Sequence, residues 1–225
     1  MMIWETCQDM PKITSGQNIL VVYGTNKHSD SSIANSILTR EEIEYCNRIR
    51  SVNQRTTWIS CHVNLRMMLG NFLESNPAEV EFKKNRYGRL YLPKSNLYFN
   101  VSHTDSSWLL GFSFGGKIGV DLEKLAGNED LTSLIAYAFS SIEADYCNGG
   151  NLQERFLEIW TLKEAFLKAA GVGLVDNLGL INVCGYPEND ICDKQFEQKT
   201  FICPYGETAS IVYRNKRTID HVCLC

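Results

Sequence analysis

Three carboxylates and one lysine have the residue types and spacing for phosphate chemistry assisted by a divalent cation. Asp121 and Glu123 stand two residues apart at the end of a strand-like segment, so both side chains point to one face. Glu164 lies in a helical run, and Lys168 follows one turn later on the same helix face. Carboxylate oxygens suit Mg²⁺, which takes one or two carboxylates and completes its shell with water and phosphate. The pattern therefore predicts a magnesium site at Asp121, Glu123 and Glu164, with Lys168 beside a bound phosphate.

Strands and helices must alternate along the chain to position these residues. Apolar patterns predict strands at 19–23, 97–101, 108–114, 117–122, 180–183, 200–203, 207–213 and 218–224. Helices are predicted from Thr39, where Glu42 completes a capping box, and over 55–73, 131–139, 142–147 and 153–170, the last closed by Gly171. Gly115-Gly116 predicts a hairpin between its two flanking strands, 85–89 a turn and 185–193 a polar loop.

The order strand, helices, strands occurs in each half of the chain. This repetition predicts an α+β fold of two similar halves related by pseudo-two-fold symmetry. The boundary is placed between an N-terminal half, 1–115, and a C-terminal half, 116–225, which carries the acidic residues.

Composition limits the classes of protein to which the chain can belong. It has 225 residues, of which 44% are hydrophobic and 21% charged, as in a globular protein. A net charge of −4 argues against general binding to nucleic acid or to a membrane surface. Nine scattered cysteines without zinc-type spacing favour reduced thiols and a cytoplasmic protein. There is no signal-peptide pattern, and no apolar stretch approaches the roughly 18 residues of a membrane span.

Five segments resemble, in the same order, motifs of the 4′-phosphopantetheinyl transferases of the surfactin-synthetase-activating (Sfp-like) class. They are Tyr87-Gly88-Arg89, Phe99-Asn100-Val101-Ser102-His103, Gly119-Val120-Asp121-Leu122-Glu123, the Phe-Ser-x-x-Glu element ending at Glu143, and Phe156 to Leu174 with Trp160-Thr-Leu-Lys163-Glu164. The chain departs from the family at Leu90, where the family has proline.

The resemblance implies an enzyme that moves the phosphopantetheine arm of coenzyme A onto a serine of an acyl or peptidyl carrier protein. Adenosine 3′,5′-bisphosphate would leave. Magnesium held by Asp121, Glu123 and Glu164 would bridge the pyrophosphate, and Lys168 would stabilise the α-phosphate or the leaving group. Either Glu164 or Glu143 would accept the serine proton, and the sequence leaves both open.

The resemblance also assigns residues to the nucleotide of coenzyme A. Ser102 and His103 would contact it near the 3′-phosphate, and Arg89 would add a fixed positive charge. A cationic cluster at Arg48, Arg50 and Arg55 is not assigned to a contact, and the role of Lys163 is open. One chain would hold a whole site in the cleft between the halves, which predicts a monomer.

Two other classes of function remain as alternatives. One is a non-catalytic coenzyme A-binding relative, against which the intact set of acids and Lys168 argues. The other is a metal-dependent phosphohydrolase that uses the same carboxylates. Taken singly, the motifs are weak, because a Glu-x-x-x-Lys pair usually only stabilises a helix surface by about 0.2–0.5 kcal/mol. The carrier that would be served, tolerance of acyl-coenzyme A, and preference for magnesium or manganese are not indicated by the sequence.

Overall fold

The structure, a computed structural model, describes residues 5–6, 19–26, 31–172, 178–184, 196–214 and 221–224. Its strands are β1 Glu5–Thr6, β2 Ile19–Thr25, β3 Lys83–Lys84, β4 Leu90–Tyr91, β5 Leu97–His103, β6 Ser107–Phe114, β7 Ile118–Glu123, β8 Phe196–Ile202, β9 Thr208–Arg214 and β10 His221–Leu224. Its helices are α1 Ser31–Ile37, α2 Arg40–Cys46, α3 Val52–Phe72, α4 Leu131–Ala138, α5 Ser141–Asn148 and α6 Leu152–Ala170. Short 3₁₀ turns follow α3 at Pro77–Glu79 and α6 at Leu178–Leu180.

The two halves repeat one topology. In the first sheet the order is β1-β10-β2-β6-β5, and in the second it is β7-β9-β8. Within each half a first strand, β2 or β7, precedes three helices and then a hairpin, and it pairs antiparallel with the last strand of that hairpin. The structure therefore has the α+β class and the repeat that the sequence predicts, with β10 returning to pair in parallel with β2 of the first sheet.

Each sheet is covered by one long helix. The apolar face of α3 packs on the first sheet through Leu65 and Leu69, among other buried residues. Helix α6 packs on the second through Ile159 and Leu162. Burial of such apolar faces supplies the main favourable free energy of folding.

A third core joins the two sheets. It contains Val21 and Leu109 from the first sheet and Val120 and Ile211 from the second, all of them fully or almost fully buried. Next to this core, Glu207 accepts hydrogen bonds from the Tyr23 hydroxyl at 3.0 Å and the Ser107 hydroxyl at 2.8 Å. Apolar packing and buried hydrogen bonds thus hold the two halves together.

Capping boxes begin the equivalent second helices of the two halves. In α2 the Thr39 side chain accepts from the backbone of Glu42, and the Glu42 side chain accepts from the backbone of Thr39. Ser140 and Glu143 make the same reciprocal pair at α5. The first of these boxes confirms the sequence prediction, and Gly171, left-handed with φ of 77°, closes α6 as expected.

Several predicted elements differ in the structure. The hairpin expected at Gly115-Gly116 is wrong, because β6 and β7 belong to different sheets and β7 pairs with β9. The strand expected at 180–183 is replaced by the Leu178–Leu180 turn, and helix α1 was not predicted. Strand β8 begins earlier than expected, at Phe196. The 185–193 loop, Gly173 and Leu174 of the family motif, and 218–220 of the last predicted strand lie outside the described residues.

Candidate functional site

The acidic strand β7 lies directly against α6 because Gly119 has no side chain. A Cβ at Gly119 would stand 2.0 Å from the carbonyl oxygen of Ala165 and 2.4 Å from the amide nitrogen of Ala169. This close approach brings the helix that carries Glu164 and Lys168 against the strand that carries Asp121.

One edge of β7 pairs with β9, and the amides on its other edge are bound by side chains of β5. Asn100 Oδ1 accepts a hydrogen bond from the amide of Val120 at 2.8 Å, and Ser102 Oγ accepts one from the amide of Leu122 at 3.3 Å. Alternate residues of β5 thereby satisfy alternate amides of β7. Residues Asn100 and Ser102 of the predicted nucleotide-binding motif therefore join the two sheets.

Asp121, Lys168 and Ser102 form the centre of the site. Lys168 Nζ lies 2.6 Å from Asp121 Oδ1 and 3.1 Å from Ser102 Oγ, and the Ser102 hydroxyl donates to Asp121 Oδ1 at 2.9 Å. Asp121 is 3% exposed, and its other oxygen, Oδ2, is buried with no hydrogen-bond partner among the described residues. Because a buried carboxylate oxygen without a partner is costly, this atom is suited to a cation or to a ligand donor.

The charge of Asp121 affects the pKa values of Glu123 and Glu164. Burial, followed by the charge of Asp121, raises the pKa of Glu123 to about 7. The same two causes raise the pKa of Glu164, and Lys168 opposes both shifts. In the described ranges, no three His, Cys, Asp or Glu side chains form a ready-made metal cage. The structure thus brings the three predicted acids into one electrostatic cluster without closing it around an ion.

The raised pKa of Glu123 predicts how stability depends on pH in metal-free protein. Its ordinary value is 4.5, so between 4.5 and about 7 the folded state binds the proton more tightly than the unfolded chain. The free energy of unfolding should therefore fall as the pH rises through this window. Thermal melts in EDTA would measure this loss, and Glu123→Gln should reduce it. Parallel pH curves for the wild type and this variant would contradict the assignment.

Glu143 lies apart from this cluster, in a buried ion pair. Its Oε2 is 2.7 Å from Lys163 Nζ and accepts from the Ser140 amide at 2.7 Å, while Oε1 accepts from the Val183 amide at 2.8 Å. The side chain is 0% exposed. Of the two residues considered as proton acceptors, the structure places Glu164 with Asp121 and does not bring Glu143 there.

Arg89 joins the N-terminal half to the end of α6. Its guanidinium donates to the carbonyl of Ile118 at 2.9 Å and to the carbonyls of Lys168 and Ala169. A cation at this end of a helix also offsets the negative end of the helix dipole. Arg89 also lines a cleft of about 310 Å³ together with Tyr87. The nucleotide contact predicted for Arg89 would have to be made in this cleft.

A second groove borders the site at Glu123. It has a volume of about 590 Å³ and is lined by His103 and Glu123, with Tyr45, Ile49 and Trp58 from the N-terminal helices. His103 thus faces this groove, whereas Lys168 lines the first cleft. Arg48, of the predicted cationic cluster, stacks over the ring of Tyr45 at 5.8 Å. Of the three acids, Glu123 lines the second groove.

Sequence reasoning missed the structural roles of Gly119 and Asn100. Gly119 stands two residues before Asp121, where a glycine inside a strand is a signal of close backbone approach. Asn100 is a polar residue flanked by the apolar Phe99 and Val101, and a buried polar group in such a place needs a partner. Both signals were present in the sequence, but the partner element could not be identified from it.

The chain is similar in sequence to known proteins. Residues 117–217 match the sequence model of the 4′-phosphopantetheinyl transferase superfamily. The chain is 32% identical over 144 residues to 4′-phosphopantetheinyl transferase HetI of Nostoc sp., covering 61% of each chain. It is 26% identical over 167 residues to a putative 4′-phosphopantetheinyl transferase of Synechocystis sp., covering 72% of this chain and 66% of the relative. It is also 24% identical to 4′-phosphopantetheinyl transferase Sfp of Bacillus subtilis, over 62% of each chain.

The matched segments span less than two thirds of the length of the Nostoc and Synechocystis relatives. The residues that match the family model include β7, with Asp121 and Glu123, and α6, with Glu164 and Lys168. Among the helices that the structure describes, none has the length and apolar character needed to cross a bilayer. On the family match over residues 117–217 and the agreement of several relatives, the chain is similar to the 4′-phosphopantetheinyl transferase superfamily.

Proposed function

We propose that this protein transfers the 4′-phosphopantetheine moiety of coenzyme A to a serine of an apo acyl or peptidyl carrier protein, with Mg²⁺, releasing adenosine 3′,5′-bisphosphate. The observation that carries the proposal is the cluster at the junction of β7 and α6. There a buried aspartate shares one oxygen with Lys168 and Ser102, while its other oxygen has no hydrogen-bond partner in the part of the chain that the structure describes. The superfamily match and the named relatives support the same class of reaction.

The donor set of the cluster fits a hard divalent cation. Asp121, Glu123 and Glu164 offer only carboxylate oxygens. Burial and then the charge of Asp121 raise the pKa values of the two glutamates, and a bound cation would favour their charged forms. Since the acids do not form a closed cage, phosphate oxygens and water would complete the shell, as is usual for magnesium. Bound there, Mg²⁺ would neutralise negative charge that develops on the pyrophosphate.

The chain's own residues would orient the reacting groups. Lys168, about a quarter exposed, is the cation beside Asp121 and would contact the phosphate oxygens that become the leaving group. Glu164, whose pKa is raised by burial and by the charge of Asp121, would accept the proton of the carrier serine. The serine oxygen would then form its bond to the β-phosphorus as the bond to the bisphosphate oxygen breaks.

The two grooves would divide coenzyme A between them. The cleft lined by Tyr87, Arg89 and Lys168 is suited to the nucleotide, because it combines an aromatic ring with two cations. His103, which the resemblance assigned to the nucleotide, lines the other groove with Glu123. We therefore reassign His103 and give that groove to the pantetheine arm and the incoming serine. Ser102 is 8% exposed and hydrogen-bonds Asp121 and Lys168. It would therefore influence nucleotide binding indirectly, by holding these two side chains in place.

The direct test is the intact mass of an apo carrier protein after incubation with this protein, coenzyme A and Mg²⁺, with EDTA as a control. A gain of one phosphopantetheine that EDTA blocks is the expected result. Coenzyme A binding without a mass gain on fatty-acid and peptidyl carriers would instead favour a non-catalytic relative. Release of inorganic phosphate from small phosphoesters would favour a phosphohydrolase.

Lys168→Met should affect the chemical step more than binding of coenzyme A. Methionine keeps the length and apolar stem of lysine but removes the charge, so transition-state stabilisation is lost while the cleft keeps its shape. We expect kcat to fall about 10²–10³-fold and KM for coenzyme A to change by less than about fivefold. Steady-state kinetics with one carrier would measure both. A rise in KM at unchanged kcat would limit Lys168 to ground-state binding.

The wider organisation follows from the same cleft. We propose an N-terminal half, 1–115, that contributes the nucleotide contacts, and a C-terminal half, 116–225, that contributes the acids and docks the carrier. Because residues of one chain line both grooves, a monomer would suffice. The free cysteines among the described residues are mostly buried, which supports our placement of the protein in the reducing cytoplasm.

A further inference from the structure

The ion pair between Glu143 and Lys163 fastens α6 to its neighbours on the side away from β7. Besides the carboxylate of Glu143 at 2.7 Å, Lys163 Nζ contacts the carbonyls of Leu178, at 2.9 Å, and Ile181. Lys163 itself is 1% exposed. One ammonium group therefore ties together α6, the start of α5 and the segment that follows α6.

The N-terminal half contains the same arrangement. Glu42, the capping-box residue of α2, lies 2.7 Å from Nε of Arg66 on α3, and Arg66 is 3% exposed. Arg66 also donates to the carbonyls of Pro77 at 3.0 Å and Val80 at 3.1 Å, in the segment that follows α3. Each half therefore has a clamp: a capping-box glutamate, a buried cation on the long helix, and carbonyls beyond that helix.

The two clamps differ in what lies beside them. Lys163 is followed by Glu164, and Lys168 stands five positions after it. The equivalent positions after Arg66 are Met67 and Asn71. Recurrence of the clamp beside uncharged residues, in place of Glu164 and Lys168, indicates that its basic role is architectural.

The clamp holds α6 from the side opposite to Gly119. Adjacent helical residues differ by about 100°, so Lys163 and Ala165 point in nearly opposite directions. Ala165 meets Gly119 of β7, while Lys163 meets Glu143. Contacts on both sides fix the rotation of the helix about its axis, and that rotation decides whether Glu164 and Lys168 face Asp121.

We propose that Glu143 and Lys163 are positioning residues, which act through the orientation of α6 and do not touch the reacting groups. The assignment rests on the proposed transfer reaction for its kinetic consequences, but its structural part does not. Both oxygens of Glu143 already accept hydrogen bonds from the protein, and the side chain is 0% exposed. Glu164 is therefore left as the proton acceptor of the pair considered from the sequence.

A double variant, Glu143→Gln with Lys163→Met, tests this role without leaving a lone buried charge. Glutamine preserves the capping box, because its oxygen can still accept from the Ser140 amide. The matched control is Glu42→Gln with Arg66→Met, which removes the equivalent clamp from the other half. Lys163→Arg supplies the cation that the N-terminal clamp uses, and it is expected to keep the wild-type rate to within about threefold.

The kinetic readout separates positioning from proton transfer. For Glu143→Gln/Lys163→Met we expect kcat to fall about 10–100-fold, with KM for coenzyme A little changed and both limbs of the pH–rate profile retained. The control should lower the melting temperature but leave kcat within about twofold. Loss of the acidic limb, which reports the deprotonation of a general base, would instead make Glu143 the proton acceptor. An equal fall of kcat in the control would mean that the effect is one of stability alone. Either result would overturn the proposal.

Amide hydrogen exchange supplies a readout that needs no activity. Exchange should become faster over residues 160–168 of α6 in Glu143→Gln/Lys163→Met and remain unchanged there in the control. Unchanged exchange in both variants would overturn the positioning role. If the wild type failed to modify any carrier, the exchange result would still decide the clamp, and only the proposed reaction would be withdrawn.

Discussion

Asp121→Asn and Glu164→Gln are each expected to abolish transfer while leaving the fold intact. Both changes keep the size of the side chain but remove a negative charge from the cluster that would hold the cation. Asp121→Asn also removes the ion pair with Lys168, whose Nζ lies 2.6 Å from Asp121 Oδ1. Removing an interaction of this kind from a transition state costs about 10²–10³-fold in kcat, and loss of the metal would add to that.

The matched control for Glu164→Gln is Glu154→Gln, since Glu154 is an exposed acid in the first turn of the same helix. Carrier modification should be measured at saturating Mg²⁺, together with circular dichroism and binding of Mn²⁺ as a spectroscopic substitute. We expect Glu154→Gln to match the wild type in all three. A near-full rate for Asp121→Asn or Glu164→Gln at saturating magnesium would show that the assignment of these acids to the metal is wrong.

Gly119→Ala is expected to have the largest effect on stability. The added Cβ would overlap backbone atoms of α6, at 2.0 Å from the Ala165 oxygen, so a flexible side chain cannot move away to make room. The helix would have to shift away from β7, which would break packing in a buried core. We expect a loss of about 3 kcal/mol or more in the free energy of unfolding, or failure to fold.

Gly116→Ala provides the comparison for this substitution. A Cβ at Gly116 meets its nearest atom at 3.4 Å, in ordinary contact distance of Arg214. Urea unfolding of the two variants should therefore give a large shift for Gly119→Ala and a change within about 0.5 kcal/mol for Gly116→Ala. Similar shifts for both would mean that β7 and α6 are not as tightly apposed as described.

Local patterns predicted the elements of the fold better than their partners. The capping box at Thr39 and the end of α6 at Gly171 depend on neighbouring residues, and both were correct. The hairpin at Gly115-Gly116 was wrong because two glycines between strands indicate a change of direction but do not specify the sheet. Strand β7 reaches the second sheet because β9, far along the chain, supplies its hydrogen bonds.

The same distinction holds for the candidate site. Spacing along β7 and α6 led to the prediction of Asp121, Glu123, Glu164 and Lys168 as site residues. In the structure Lys168 contacts Asp121, and the charge of Asp121 acts on Glu123 and Glu164, but their roles stay a prediction. Glu143 was selected because of its place in a motif, but the sequence could not indicate that Lys163 would neutralise it. Arg89 likewise carries the expected charge, yet its bonds to carbonyls of α6 depend on a contact between the two halves.

The bonds from Asn100 and Ser102 to the amides of β7 have a consequence for how ligands enter. Opening the cleft as a hinge would strip two buried amides of their partners and expose the apolar core between the sheets. Domain closure is therefore an unsuitable way for this protein to recognise its substrates. Selectivity for substrates would instead depend on which ligands fit the two preformed grooves. Recognition would then rely on a rigid binding site rather than on induced fit.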